Sequence, residues 1–218
     1  MSLTDQLAAA NMANRAQIPA PALAVIDRAT AALTAADPTA GAVSVGDSAP
    51  SFELPNAIGQ TIRLGDLLAQ GPVVLTFYRG GWCPYCSLEL KALQDALPAI
   101  TEAGARLVAI SPQTPDATLS TAEKKALSFD VLSDVGNAVA REYGLVFEAP
   151  ADLVETYQGF GIDLEAANGD ATHELPMPAT FVIDLDGTVR YAFVDPDYTQ
   201  RAEPADVVAA LQALGVVA

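Results

Sequence analysis

Cys83 and Cys86 are the only two cysteines among 218 residues, and they stand three positions apart. That spacing places both on one face of a helix, within reach of a disulfide without backbone movement. Residues 73–78 before them are continuously apolar or aromatic except for one threonine and read as a strand buried on both faces. Leu88, Leu93 and Leu97 then carry a helical pattern. Cys83 therefore falls at a strand-to-helix junction, at the helix N-terminus, where unpaired N–H groups and the helix dipole favour a thiolate. The thiolate is the form that attacks peroxides and disulfides. Trp82 and Tyr85 are expected to rim the sulfur, and Pro84 to stiffen the short loop. Arg79 is placed to stabilise a thiolate or polarise a peroxide oxygen; the competing reading is a surface arginine that closes a loop. Gly80 and Gly81 serve the turn, and no phosphate-binding glycine loop implies a nucleotide cofactor.

Other uses of two cysteines fit less well. A structural staple closing so small a loop removes little unfolded-state entropy. A zinc site needs four ligands, and the chain offers two Cys and one histidine, His173. Two inert buried cysteines remain the plain alternative. His173 could act as a general base only by folding back over Cys83, and a solvated loop histidine is the simpler reading. Asp184 and Asp186 flank a hairpin, where turn chemistry accounts for them.

The elements that position the pair follow from the same patterns. Residues 1–45 are alanine-rich and imply two helices broken around Pro19 and Pro21, a helical arm on the main domain. Whether the arm packs on the core or on a second copy, as a homodimer would require, is left open by the sequence. Phe52, Leu54, Ile62 and Leu64 alternate around residues 56–59 as a hairpin does. Residues 106–110 form a second buried strand, 117–127 a helix, 129–132 a strand and 135–143 a helix. Residues 180–184 and 189–194 make a late hairpin about Asp186 and Gly187, and 207–214 a closing helix. This alternation implies an α/β fold with a mixed central sheet and helices on both faces. Residues 146–176 show little periodicity and read as an insertion within a redox domain spanning 46–218.

Composition excludes several classes. Hydrophobic residues make up 51% of the chain, which argues against disorder. Eleven Lys and Arg against 27 Asp and Glu give a formal charge of -16, which repels phosphate backbones and anionic membrane surfaces. Lys124 and Lys125 are too few for a basic patch. No apolar run is long enough to span a bilayer. Residues 1–10 lack a basic segment followed by a continuous apolar one. The expectation is a cytoplasmic protein with no nucleic-acid or membrane partner.

The run Phe77-Tyr78-Arg79-Gly80-Gly81-Trp82-Cys83-Pro84-Tyr85-Cys86 resembles the alkyl hydroperoxide reductase/thiol-specific antioxidant family of peroxiredoxin-like proteins. Further segments agree with it: Ala49-Pro50-Ser51-Phe52-Glu53-Leu54, Ile110-Ser111-Pro112, Leu132-Ser133-Asp134, Glu142-Tyr143-Gly144, and Ala179-Thr180-Phe181-Val182-Ile183-Asp184 with Asp186-Gly187. The resemblance covers residues 45–145 and 176–195. It implies a thioredoxin-like fold and a thiol peroxidase. In a fold of that kind Pro178 would follow a cis bond and face the cysteines. In the family's register Cys86 falls on the peroxidatic position and Glu89 on an acidic one. Three positions depart: Arg79 stands where the family has Pro, Cys83 where it has Thr, and Pro178 where it has a late Arg. Each change moves the site toward thioredoxin, whose attacking cysteine is the first of the pair.

Three functions follow from this reading. The first is a peroxiredoxin-like peroxidase acting on hydrogen peroxide or organic hydroperoxides, in which one cysteine becomes a sulfenic acid, the Cys83–Cys86 disulfide forms, and thioredoxin or a small thiol reduces it. The second is a thioredoxin-like protein disulfide reductase. The third is a redox-sensing binding domain. Position favours Cys83 as the nucleophile; no metal or other cofactor is called for.

Overall fold

The computed structural model describes residues 1–215, the side chain of Lys124 excepted. Ser2 opens the first helix with a capping box: its hydroxyl accepts from the Asp5 amide at 3.1 Å, and the Asp5 carboxylate accepts from the Ser2 amide at 3.3 Å. Helix α1 (Leu3–Arg15) and helix α2 (Ala20–Ala35) follow, parted at Pro19 as the prolines require. Strands β1 (Glu53–Pro55) and β2 (Thr61–Arg63) form the expected hairpin, and helix α3 (Leu64–Leu68) leads out of it. Strand β3 (Val73–Phe77) hands over to helix α4 (Pro84–Glu102). Strand β4 (Arg106–Ser111), helix α5 (Pro115–Lys124), strand β5 (Asp130–Ser133) and helix α6 (Ala138–Glu142) complete the first half.

Residues 146–176 are ordered into strand β6 (Val146–Glu148), helix α7 (Ala151–Gly159), helix α8 (Leu164–Asn168) and strand β7 (Glu174–Pro176). The two strands pair antiparallel and close the segment on itself. Its elements are short, so the apolar stripe of α7, Leu153, Val154 and Tyr157, spans barely one turn and leaves a weak periodic signal. Strand β8 (Ala179–Ile183), strand β9 (Val189–Val194) and helix α9 (Pro204–Ala213) end the chain.

The central sheet has the order β5-β4-β3-β8-β9. Strands β3, β4 and β5 run parallel, and β8 and β9 are antiparallel additions. Alternation along β3 divides the core. Val73, Leu75 and Phe77 face one layer with Phe52, Leu64, Tyr143 and Phe181. Val74 faces the other with Leu93 and Ile100 of α4 and Val207 and Leu211 of α9. Every residue of β3 is buried, which is why its sequence reads as an unbroken apolar run apart from Thr76.

One expectation is corrected. No peptide bond among the described residues is cis, so the Met177–Pro178 bond is trans. Trans is the default even before proline, by about 0.5–1 kcal/mol. Here it keeps the chain extended from β7 into β8, with the Met177 amide donating to the Leu145 carbonyl at 2.8 Å. Pro178 is buried, yet it lines a cavity beside Arg79, Tyr157 and Tyr198 rather than the one that holds Cys83.

Phe181 is fully buried on β8, 5.3 Å from the Tyr143 ring and edge-on to Phe77 at 6.2 Å. Phe181→Ala is expected to lower unfolding free energy by about 3–5 kcal/mol in urea titrations, the cost of an aromatic-sized cavity.

Candidate active site

The loop between β3 and α4 is shaped by its glycines. A Cβ at Gly80 would lie 2.3 Å from Trp82 Nε1, and one at Gly81 2.3 Å from Thr121 Oγ1. Only hydrogen side chains allow so close an approach. The Gly81 amide donates to Gln113 Oε1 at 2.8 Å, and the Cys83 amide to the Gly80 carbonyl at 3.1 Å. The turn delivers Cys83 to the N-cap of α4, with Pro84 at its first position, where a missing N–H costs nothing.

Both cysteines are free thiols, with Cys83 2% exposed and Cys86 fully buried. Cys83 borders a cavity of about 320 Å³, and Trp82 and Tyr85 line it as expected. The Cys83 pKa is lowered to about 6, first by a hydrogen bond from the Cys86 thiol and then by the charges of Arg79 and Arg201, against the cost of burial. Although Cys83 holds the N-cap position, its side chain makes no capping hydrogen bond. The Cys86 thiol is the first cause of its acidity, and the Cys86 backbone amide in the first turn of α4 is the smallest. Burial, with Cys83 beside it, pushes Cys86 well above the ordinary thiol value.

Beside Cys86 lies a buried polar pair of which the sequence pointed only to Glu89, as the family's acidic position; its partner Arg201 was not anticipated. Arg201, from the segment between β9 and α9, donates from Nη2 to Cys86 Sγ at 3.3 Å and from Nε to Glu89 Oε2 at 2.6 Å. Its Nη1 donates to the Tyr198 and Gln200 carbonyls at 2.5 and 2.6 Å. Glu89 and Arg201 are both buried. Burial raises the Glu89 pKa to about 7 despite the opposing pull of Arg201. Thr76 of β3 donates to Glu89 Oε1 at 3.4 Å. A signal for this group existed: Glu89 interrupts the buried face of α4 formed by Cys86, Leu90 and Leu93, and a carboxylate there demands a cation.

Arg79 is 2% exposed, so the surface reading fails. Its guanidinium lies 5.2, 5.6 and 4.9 Å from the ring centres of Trp82, Tyr157 and Tyr198. Nη2 donates to the Tyr157 hydroxyl at 2.5 Å, and Nε has no partner. Among the described residues Arg79 forms no ion pair, so the rings carry its stabilisation. Tyr157 and Tyr198 were not anticipated; the first belongs to residues 146–176. His173 does not line the Cys83 cavity. Its carbonyl accepts from the Ala149 amide at 3.1 Å.

Residues 45–192 match the AhpC/TSA family. Peroxiredoxin Bcp of Escherichia coli (strain K12) is 29% identical over 153 residues, 70% of this chain and 86% of that protein. The chloroplastic peroxiredoxin Q of Triticum aestivum is 33% identical over 179 residues, 82% of this chain and 71% of that protein. The crystal structure of peroxidoxin BcpB from Mycobacterium tuberculosis superposes with a TM-score of 0.62 at 27% identity, over 79% of this chain and 98% of that one. The chain therefore belongs to the AhpC/TSA family, the peroxiredoxins, thiol-dependent peroxidases built on a thioredoxin-like fold.

Proposed function

We propose that the chain reduces peroxides through the Cys83–Cys86 pair, with Cys83 as the nucleophile. The observation that carries this reading is the placement of Cys83 at the wall of a cavity that Arg79 also lines, an arginine that forms no ion pair among the described residues; the lowered Cys83 thiol agrees with it. The Cys83 thiolate attacks one peroxide oxygen. An S–O bond forms, the O–O bond breaks, and the second oxygen leaves as an alcohol or water after taking a proton. Arg79 stabilises the thiolate before attack and the negative oxygen after it. Cys86 then attacks the sulfur of the sulfenic acid. The S–S bond forms, the S–O bond breaks, and water leaves. Arg201 at 3.3 Å stabilises the charge that Cys86 develops as it loses its proton. Two equivalents of an external thiol, or one dithiol such as thioredoxin, supply the electrons that restore both thiols. We place this chemistry in a reducing compartment such as the cytoplasm; no helix among the described residues is long and apolar enough to cross a membrane.

A specific observation keeps a second assignment in play. Arg201 touches Cys86, not Cys83, and Cys86 occupies the family's peroxidatic register. Disulfide reduction of large proteins is less well supported, because Cys83 is 2% exposed and α1 and α2 contribute to the wall before it.

Purified protein with dithiothreitol should consume peroxide and should be a poor reductant of insulin disulfides when peroxide is absent. Cys83→Ser should cut turnover by at least roughly 10³-fold. Cys86→Ser should still react once with peroxide, leaving a trapped sulfenic or over-oxidised Cys83 in mass spectra. Fast sulfenic acid formation on Cys86 in the Cys83→Ser protein would assign attack to Cys86 instead.

The pH dependence follows from the lowered thiol. An acid whose pKa falls is charged over a wider range, so thiolate is present above about 6 and lost below it. Iodoacetamide alkylation of Cys83 should reach its plateau near neutral pH and fall about tenfold for each pH unit well below the midpoint. Cys86→Ala, which removes the largest cause, should move the midpoint up; Arg79→Gln should move it up by less. A midpoint that stays near 9 in the unmodified protein overturns the assignment.

A further inference from the structure

We propose that the two N-terminal helices are part of the active site, and that Ile18, in the turn joining them, selects the organic group of the peroxide. The proposal rests on the peroxidase reading above. It concerns residues outside the 45–192 that match the family.

The cavity beside Cys83 draws most of its wall from three segments. Trp82 and Tyr85 come from the cysteine motif, Ile18 and Ile26 from the arm, and Phe160 and Ile162 from the end of α7 and beyond. At about 320 Å³ it is far larger than hydrogen peroxide requires, since a water takes only about 30 Å³ of liquid. Hydrogen peroxide leaves the apolar walls unused. A branched alkyl or aryl group fills the space and buries its surface against them while its peroxide end meets Cys83.

The arm is fixed in place by contacts on the same side of the molecule. The Glu203 carboxylate accepts from the Leu3 amide at 3.1 Å and the Thr4 amide at 2.5 Å. Tyr85 donates its hydroxyl to Asn11 Oδ1 at 3.1 Å. Leu3 and Leu7 are buried in the cluster that holds both cysteines. Ile26 is itself core, packed with Leu153 and Tyr157, whereas Ile18 is only half-buried. Truncation of Ile18 therefore changes the cavity without removing a core residue.

The test compares kcat/KM for cumene hydroperoxide with that for hydrogen peroxide. Ile18→Ala should lower this ratio by about five- to tenfold, as expected for lost apolar contact. Met12→Ala, at a position 76% exposed on α1 and outside the cavity, should keep it. Trp82 is the sole tryptophan, so its fluorescence reports occupancy without turnover. The unreactive alcohol 2-phenyl-2-propanol should perturb it, and Ile18→Ala should weaken that binding. An unchanged ratio in Ile18→Ala, or a Trp82 signal blind to the alcohol, overturns the role of the arm. Saturable alcohol binding weakened by Ile18→Ala, in a protein that consumes neither peroxide, supports the pocket and overturns the peroxidase reading instead.

Discussion

The 2.6 Å ion pair between Arg201 and Glu89 is the constraint on which the site depends. Both groups are out of water, and each would be costly alone. Arg201 offsets its desolvation with two backbone carbonyls, the Glu89 carboxylate and the Cys86 sulfur. Those contacts tie the segment after β9 to helix α4, and so fix the second cysteine from below. Glu203, two residues on, receives the amides at the start of α1. One short stretch of chain thus holds both the arm and the deeper thiol.

Arg79 is stabilised by a different device. Among the described residues no carboxylate pairs with it, and three aromatic faces stand in for one. Such a cage lowers the cost of burial without neutralising the charge. An ion pair would quench the field that Arg79 casts on Cys83; a ring does not. The ring of Tyr157 comes from α7, which gives residues 146–176 a direct part in the electrostatics of the site although no chemistry-bearing pattern marks them.

What the sequence made legible was what periodicity and local spacing encode. The order β-α-β around β3, the hairpin about Asp186 and Gly187, the arm broken at Pro19 and the position of Cys83 at a helix start are all local patterns, and all are present. The long-range partners were not legible. Arg201 lies 115 residues from Cys86, and Tyr157 lies 78 from Arg79. Nothing in either local context distinguishes them from surface residues. Pro178 failed for the opposite reason: its place before β8 was read correctly, but the isomer of its peptide bond is set by the extended path from β7, which tertiary pairing decides.

The three departures from the family pattern make sense together when the buried charges are counted. Cys83, where the family has Thr, keeps a hydrogen-bonding group against Cys86 and adds a second sulfur. Arg79, where the family has Pro, adds a cation. Pro178 removes the late Arg, and Arg201 brings a guanidinium to Cys86 from another direction. Arg79 and Arg201 contribute two positive charges and ionised Glu89 one negative, which leaves room for one thiolate. Burial is the first cause of the raised values of both Cys86 and Glu89, and a charged Cys83 adds to the first as a charged Cys86 adds to the second. In the proposed cycle this arrangement sets an order: a charged Cys83 opposes ionisation of Cys86, and oxidation of Cys83 removes that opposition before the disulfide step.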